Sequence, residues 1–117
     1  MRKILVVEDD PRIRTSICDR IARKGDMIYE CYNGDIAVSC YERIRPDLVL
    51  MDIEIEGLNG LEATRKIRMM DPEARIVIVS QYSSPAFRKA AQDIGAADYV
   101  VKDNLEPLPD IIQTLFK

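Results

Sequence analysis

The stretch that most constrains this chain is Leu48-Val49-Leu50-Met51-Asp52, which runs on through Ile53-Glu54-Ile55-Glu56-Gly57-Leu58-Asn59-Gly60. An apolar run without alternation suits a strand buried on both faces, and such strands belong to sheets covered by helices on each side. A carboxylate has no place inside a dry core, so Asp52 marks the point where the chain leaves the sheet. Gly57 and Gly60 permit a tight loop with close backbone approach. Asn59 followed by Glu62 reads as a variant capping box opening the next helix. An acid at the carboxyl end of a central strand is placed for metal or nucleophilic chemistry.

The rest of the chain alternates in the same way. Lys3-Ile4-Leu5-Val6-Val7 is a strand with Glu8-Asp9-Asp10 at its end. Asp10 and Pro11 cap and start a helix striped by Ile13, Ile17 and Ile21, which Arg23-Lys24-Gly25 closes. Met27 to Tyr32 is a weaker strand suited to a sheet edge. Asn33-Gly34 then leads into a helix with Ile36, Ala37, Cys40, Tyr41 and Ile44 inward, broken by Arg45-Pro46-Asp47. A third helix carries Leu61, Thr64, Ile67 and Met70 on one face and stops at Asp71-Pro72. Ile76 to Val79 is a fourth strand ending on Ser80. Ser84-Pro85 starts a fourth helix with Phe87, Ala90, Ala91 and Ile94 inward, and Gly95 ends it. Asp98 to Val101 is a fifth strand ending on Lys102. Pro107 and Pro109 confine the last helix to a start near Leu108, where docking of Ile111, Ile112 and Leu115 must sustain it. So short a final helix fits a domain cut from a longer chain.

Five strands alternating with five helices imply one α/β domain spanning 1–117, a doubly wound parallel sheet with helices on both faces. The order 2-1-3-4-5 is expected, with its topological switch between strands 1 and 3. Ligands bind beyond the carboxyl ends of the strands at such a switch, and those ends carry Glu8, Asp9 and Asp52, with Ser80 and Lys102 on the same rim. Three carboxylates at close quarters repel unless a cation lies among them. The chain has no histidine, so a metal here is a hard cation held by oxygens, and Mg²⁺ suits the set. A hydroxyl and an ammonium opposite suit phosphoryl oxygens, and Asp52, the central acid, can act as a carboxylate nucleophile.

Composition excludes several classes. A net charge of -3 with scattered Lys and Arg leaves no basic footprint for nucleic acid or an anionic membrane. No apolar run approaches the roughly 18 residues of a membrane span, and no signal peptide precedes the first strand. Cys18, Cys31 and Cys40 lack C-x-x-C spacing and read as free thiols in a reducing cytoplasm. Missing histidine rules out Ser-His triads and His-containing zinc sites, and missing Gly-rich fingerprints rule out P-loop and dinucleotide sites.

The chain resembles the receiver domain of two-component response regulators, and is similar in layout to the single-domain chemotaxis regulator. The resemblance rests on Ile4-Leu5-Val6-Val7-Glu8-Asp9-Asp10, on Leu48 to Gly60 around Asp52, on Ser80, and on Tyr99-Val100-Val101-Lys102. It implies a flavodoxin-like fold and a phosphorylation-activated switch that is not an enzyme in its own right. Asp52 would accept phosphate from a histidine kinase or phosphotransfer protein. Asp9, Asp52 and the backbone carbonyl of Glu54 would ligate Mg²⁺ directly, and Glu8 through water. Lys102 would contact the phosphoryl oxygens, Ser80 would swing toward them, and Tyr99 would rotate inward. The face of helix 4, strand 5 and helix 5 would then change, and partners or a second copy would dock there.

Some positions depart from the family pattern. Glu56 stands where proline is usual and Asn59 where aspartate is common, so a looser or differently capped loop is expected. Gln81 replaces a small residue beside the phosphoryl entry path. Asp103 follows Lys102 in place of a cis-proline, and a non-proline cis bond costs about 3 kcal/mol, so a trans bond is expected. The Lys-Asp pair resembles receivers joined to helix-turn-helix DNA-binding outputs. Glu54 and Tyr82 flank the path of hydrolytic water in such sites, which implies a long-lived phosphoryl group. Two other readings are a receiver-like module that binds partners without phosphorylation, and an aspartyl-phosphate phosphatase or phosphotransferase. The second lacks its usual pair of aspartates separated by one residue after strand 1.

Overall fold

The computed structural model describes residues 2–55 and 57–116. Strands β1 (Lys3–Val7), β2 (Met27–Cys31), β3 (Leu48–Met51), β4 (Ile76–Ser80) and β5 (Asp98–Val101) alternate with helices α1 (Pro11–Ile21), α2 (Gly34–Ile44), α3 (Gly60–Met70), α4 (Pro85–Asp93) and α5 (Leu108–Leu115). The strands form one parallel sheet in the order β2-β1-β3-β4-β5. The chain steps outward from β1 to β2, then returns across β1 to start β3, so the switch lies between β1 and β3 as expected.

Alternation along the buried strands divides the core into two layers. Leu5, Val7, Val49, Met51, Ile76 and Ile78 face α2, α3 and α4, meeting Ala37, Cys40, Tyr41, Ala63, Ile67 and Ala91. Ile4, Val6, Leu48, Leu50, Val77 and Val79 face α1 and α5, meeting Ile17, Ile21, Leu108 and Ile112. Right-handed crossovers require this division, because the direction of strand progression reverses after β2.

Caps fix where the helices begin. Asp10 accepts from the Arg12 N–H, Asn33 from those of Asp35 and Ile36, and Ser84 from that of Phe87. At α3 only half of the expected box forms. Asn59 Oδ1 accepts from the Leu61 N–H at 2.7 Å, but Glu62 turns outward to Arg65. An exposed guanidinium one turn ahead outcompetes the backbone N–H for that carboxylate.

Other boundaries also differ from expectation. Helix α1 ends at Ile21, before Arg23-Lys24-Gly25, because the chain must turn there to lay Met27 beside Lys3. Gly25 enters that turn at φ +92°. β2 stops at Cys31, leaving Tyr32 outside the sheet and exposed. Ile36 points outward from α2, and of the four residues expected to face inward on α4 only Ala91 is fully covered. Helix α4 packs against the sheet edge strand β5, which is too narrow to cover more. Helix α5 begins at Leu108, with Pro109 in the first turn where a missing N–H costs nothing. No described peptide bond is cis, so Lys102–Asp103 is trans as expected. Glu56, one of the departures from the family pattern, lies outside the described residues.

Candidate functional site

The carboxyl ends of β1, β3, β4 and β5 meet on one rim. Pairing carries Glu8 and Asp52 to neighbouring places: the Glu8 N–H donates to Cys31 O at 2.9 Å, and the Asp52 N–H to Val7 O at 3.0 Å. The loop after Asp52 folds back so closely that a Cβ on Gly60 would lie 1.8 Å from the Asp52 carbonyl oxygen. Only glycine fits there, and Gly57 supplies the reversal at φ +82°.

Glu8 and Asp52 are buried, at 1% and 3% exposure, whereas Asp9 faces solvent. One carboxylate oxygen from each of the three lies within 4.8 Å of the others. Lys102, from the end of β5, reaches into this group. Its ammonium is 2.6 Å from Glu8 Oε1 and 3.1 Å from Asp52 Oδ2. Glu8 Oε2 accepts from the Asp10 N–H at 3.1 Å. Among the described residues, buried Glu8 Oε1 has no hydrogen bond of good geometry and faces only the ammonium.

Burial, followed by the charge of Glu8, pushes the Asp52 carboxyl up to about 7, while Lys102 and the Glu54 N–H pull it back. Burial alone would lower Lys102, but its contacts with Glu8 and Asp52 outweigh this and hold it above the ordinary lysine value. So concentrated a set of oxygen donors, one oxygen from each of three acids within 4.8 Å, fits a hard divalent cation.

Glu8, Asp9, Asp52, Glu54, Gln81 and Lys102 border a depression of about 200 Å³. Gln81 Nε2 donates to Glu54 Oε2 at 2.9 Å, bridging the loops after β3 and β4 at its mouth. Ser80 is buried and does not line the depression. Its hydroxyl accepts from the Tyr82 N–H at 3.0 Å. Tyr99 is already inward, only 9% exposed, with its hydroxyl donating to Tyr82 O at 2.6 Å. The Arg88 guanidinium covers its ring at 4.8 Å.

Two participants escaped the sequence reading. Gln81, expected only to take up space beside the phosphoryl entry path, is a bridge to Glu54. Arg14, one turn into α1, reaches back to the Glu8 carbonyl at 2.9 Å. Its signal was available: a long cation four residues beyond the Asp10 cap, beside the apolar stripe of Ile13 and Ile17.

Among the described residues no helix is long and apolar enough to cross a membrane. The family model for the response regulator receiver domain matches residues 4–113. The chemotaxis protein CheY of Thermotoga maritima is 34% identical, over 86% of this chain and 85% of its own. The response regulator GacA of Pseudomonas aeruginosa and the nitrate/nitrite response regulator NarL of Escherichia coli are each 33% identical, over 99% and 96% of this chain. The chain spans 56% and 52% of their lengths. Among solved structures, a LuxR-family two-component response regulator from Aurantimonas superposes with a TM-score of 0.89 at 33% identity, covering 99% of this chain and 86% of its own. Response regulator TrrA of Thermotoga maritima, in complex with Mg²⁺-BeF, superposes at 0.88 with 34% identity, covering 98% and 99%. The chain thus belongs to the response regulator receiver domain family, the phosphorylation-activated switches of two-component systems.

Proposed function

We propose that Asp52 is the phosphoacceptor of this receiver. The observation that carries the proposal is a buried carboxylate at the end of β3, 3.1 Å from a lysine ammonium and beside two further acids. In the transfer, an Asp52 oxygen bonds to phosphorus as the phosphorus–nitrogen bond of a donor phosphohistidine breaks, and the electron pair leaves with the imidazole. The donor is a histidine kinase or a phosphotransfer protein. Lys102, held between Glu8 and Asp52, turns its charge toward the oxygens of the incoming group. Ser80 supplies a hydroxyl to the same oxygens by releasing Tyr82.

Asp9, Asp52 and the Glu54 backbone carbonyl would hold Mg²⁺ directly, with Glu8 behind a water. The bound ion supplies charge neutralisation at the carboxylates and the phosphoryl oxygens. The domain acts on no other substrate. Its place is the cytoplasm, a reading supported by three free thiols. Likeness to a DNA-binding response regulator of the LuxR family from Staphylococcus aureus supports an N-terminal receiver joined to a DNA-binding output. The face of α4, β5 and α5 would then receive partners or a second copy.

Radiolabelled acetyl phosphate with Mg²⁺ tests the assignment. Label should enter as an acid-stable, hydroxylamine-labile adduct and be lost in Asp52→Asn. Equal labelling of that variant would move the acceptor elsewhere.

A further inference from the structure

We infer that Arg14 is a positioning residue for the cation-binding acids, holding the peptide between Glu8 and Asp9 from the first turns of α1. The inference rests on the reading of Glu8, Asp9 and Asp52 as the Mg²⁺ site. The sheet pins β1 only as far as its last rung. Val7 O accepts from Asp52, and the Glu8 N–H donates to Cys31 O. The next acceptor, Glu8 O, lies beyond the paired residues of both neighbouring strands. Arg14 Nη1 donates to it at 2.9 Å.

That carbonyl belongs to the peptide leading into Asp9, so its orientation sets the direction in which the Asp9 side chain leaves the backbone. Asp9 is exposed, and its placement depends on the backbone beneath it. Arg14 is itself braced. Its Nε donates to Glu30 Oε1 at 3.2 Å on the edge strand, and its guanidinium lies over the Tyr32 ring at 5.5 Å from the centroid. The planar fork serves Glu8 and Glu30 at once, which a lysine ammonium on a flexible stem does not reproduce.

An ordinary surface ion pair is the competing account, since Glu30 is half exposed. Such a pair contributes little to stability and nothing to a metal site. Charge separates the two roles. Removing the cation bound at the Glu8 backbone carbonyl leaves Mg²⁺ binding unchanged or tightens it if electrostatics alone operates. Loss of positioning weakens it, and contacts that orient metal ligands typically control affinity by about 10–100-fold.

The test is a Mg²⁺ titration followed by amide chemical shifts in the parent, Arg14→Gln, Arg14→Lys and Asp9→Asn, with urea midpoints measured without Mg²⁺. Both Arg14 variants should bind Mg²⁺ about 10-fold more weakly, the lysine included although it keeps the charge. If Arg14→Gln does not fold, Arg14→Lys carries the test alone. Affinity in the folded Arg14 variants that is unchanged, or tighter, overturns the inference while weakened Asp9→Asn keeps the cation site. Parent-like affinity in Asp9→Asn overturns the cation-site reading, and the role of Arg14 with it.

Discussion

Ser80 and Tyr99 hold the two polar ends of one residue: the Ser80 hydroxyl accepts from the Tyr82 N–H at 3.0 Å, and the Tyr99 hydroxyl donates to the Tyr82 carbonyl at 2.6 Å. The Tyr82 ring in turn stacks on Phe87 of α4, with centroids 4.6 Å apart. A hydroxyl drawn toward a phosphoryl group therefore releases a peptide that is tied to both β5 and α4. Tyr99 need not travel inward, because it is already there. The turn at Tyr82 is the element expected to move.

Removing either hydroxyl tests that linkage. Ser80→Ala should still bind beryllofluoride at Asp52, but amide shift changes across residues 82–101 should collapse. Tyr99→Phe should cost about 1 kcal/mol of stability by orphaning Tyr82 O. Full propagation in Ser80→Ala would show that the signal bypasses Tyr82.

Asp52 makes the site a source of instability. Its folded-state value near 7 exceeds the ordinary carboxylate value, so between about pH 4 and 7 the folded state binds the additional proton. Stability without Mg²⁺ should therefore fall as pH rises through that window. Asp52→Asn should flatten the slope and be more stable than the parent at pH 7, by roughly 1–2 kcal/mol. Urea midpoints across pH check this, and a parent whose stability rises from pH 5 to 7 while Asp52→Asn stays flat would contradict it.

The opposite sign is expected at the far end of the sheet. Arg2 donates to both Asp26 oxygens, at 2.9 and 2.6 Å, and this bonding holds the Asp26 carboxyl below its ordinary value. A depressed acid stabilises the fold above its unfolded value and loses that contribution as pH falls through the folded one. Asp26→Ala should cost about 1 kcal/mol at pH 7 and progressively less below about pH 4. A penalty independent of pH would assign the effect to packing.

Phosphoryl lifetime should depend on the bridge between Glu54 and Gln81. Tyr82, drawn onto Phe87, does not line the depression, whereas Gln81 and Glu54 do. Gln81→Ala should open the mouth and shorten the half-life severalfold, while Tyr82→Ala should change it less. Decay measured on the purified phosphoprotein distinguishes them, and the reverse ranking would restore Tyr82 as the shield.

The strand and helix sequence was legible because local signals agreed: apolar runs, caps at Asp10, Asn33, Asn59 and Ser84, and a terminal acid, hydroxyl or ammonium on each rim strand. The fates of Glu62, Arg14 and Gln81 were not. Each is a long polar side chain whose partner is chosen by three-dimensional proximity, in competition with water and several near-equal alternatives. The inward position of Tyr99 was hidden for a related reason, since its acceptor, Tyr82 O, belongs to a loop whose path the sequence leaves open.

Asp52 is the proposed acceptor, and borohydride trapping reads it directly. The protein is phosphorylated with acetyl phosphate and Mg²⁺, the acyl phosphate is reduced in place, and peptides are sequenced by mass spectrometry. The reduced residue should fall at position 52 alone. Reduction at position 9, or none despite stable phosphate incorporation, would contradict the assignment.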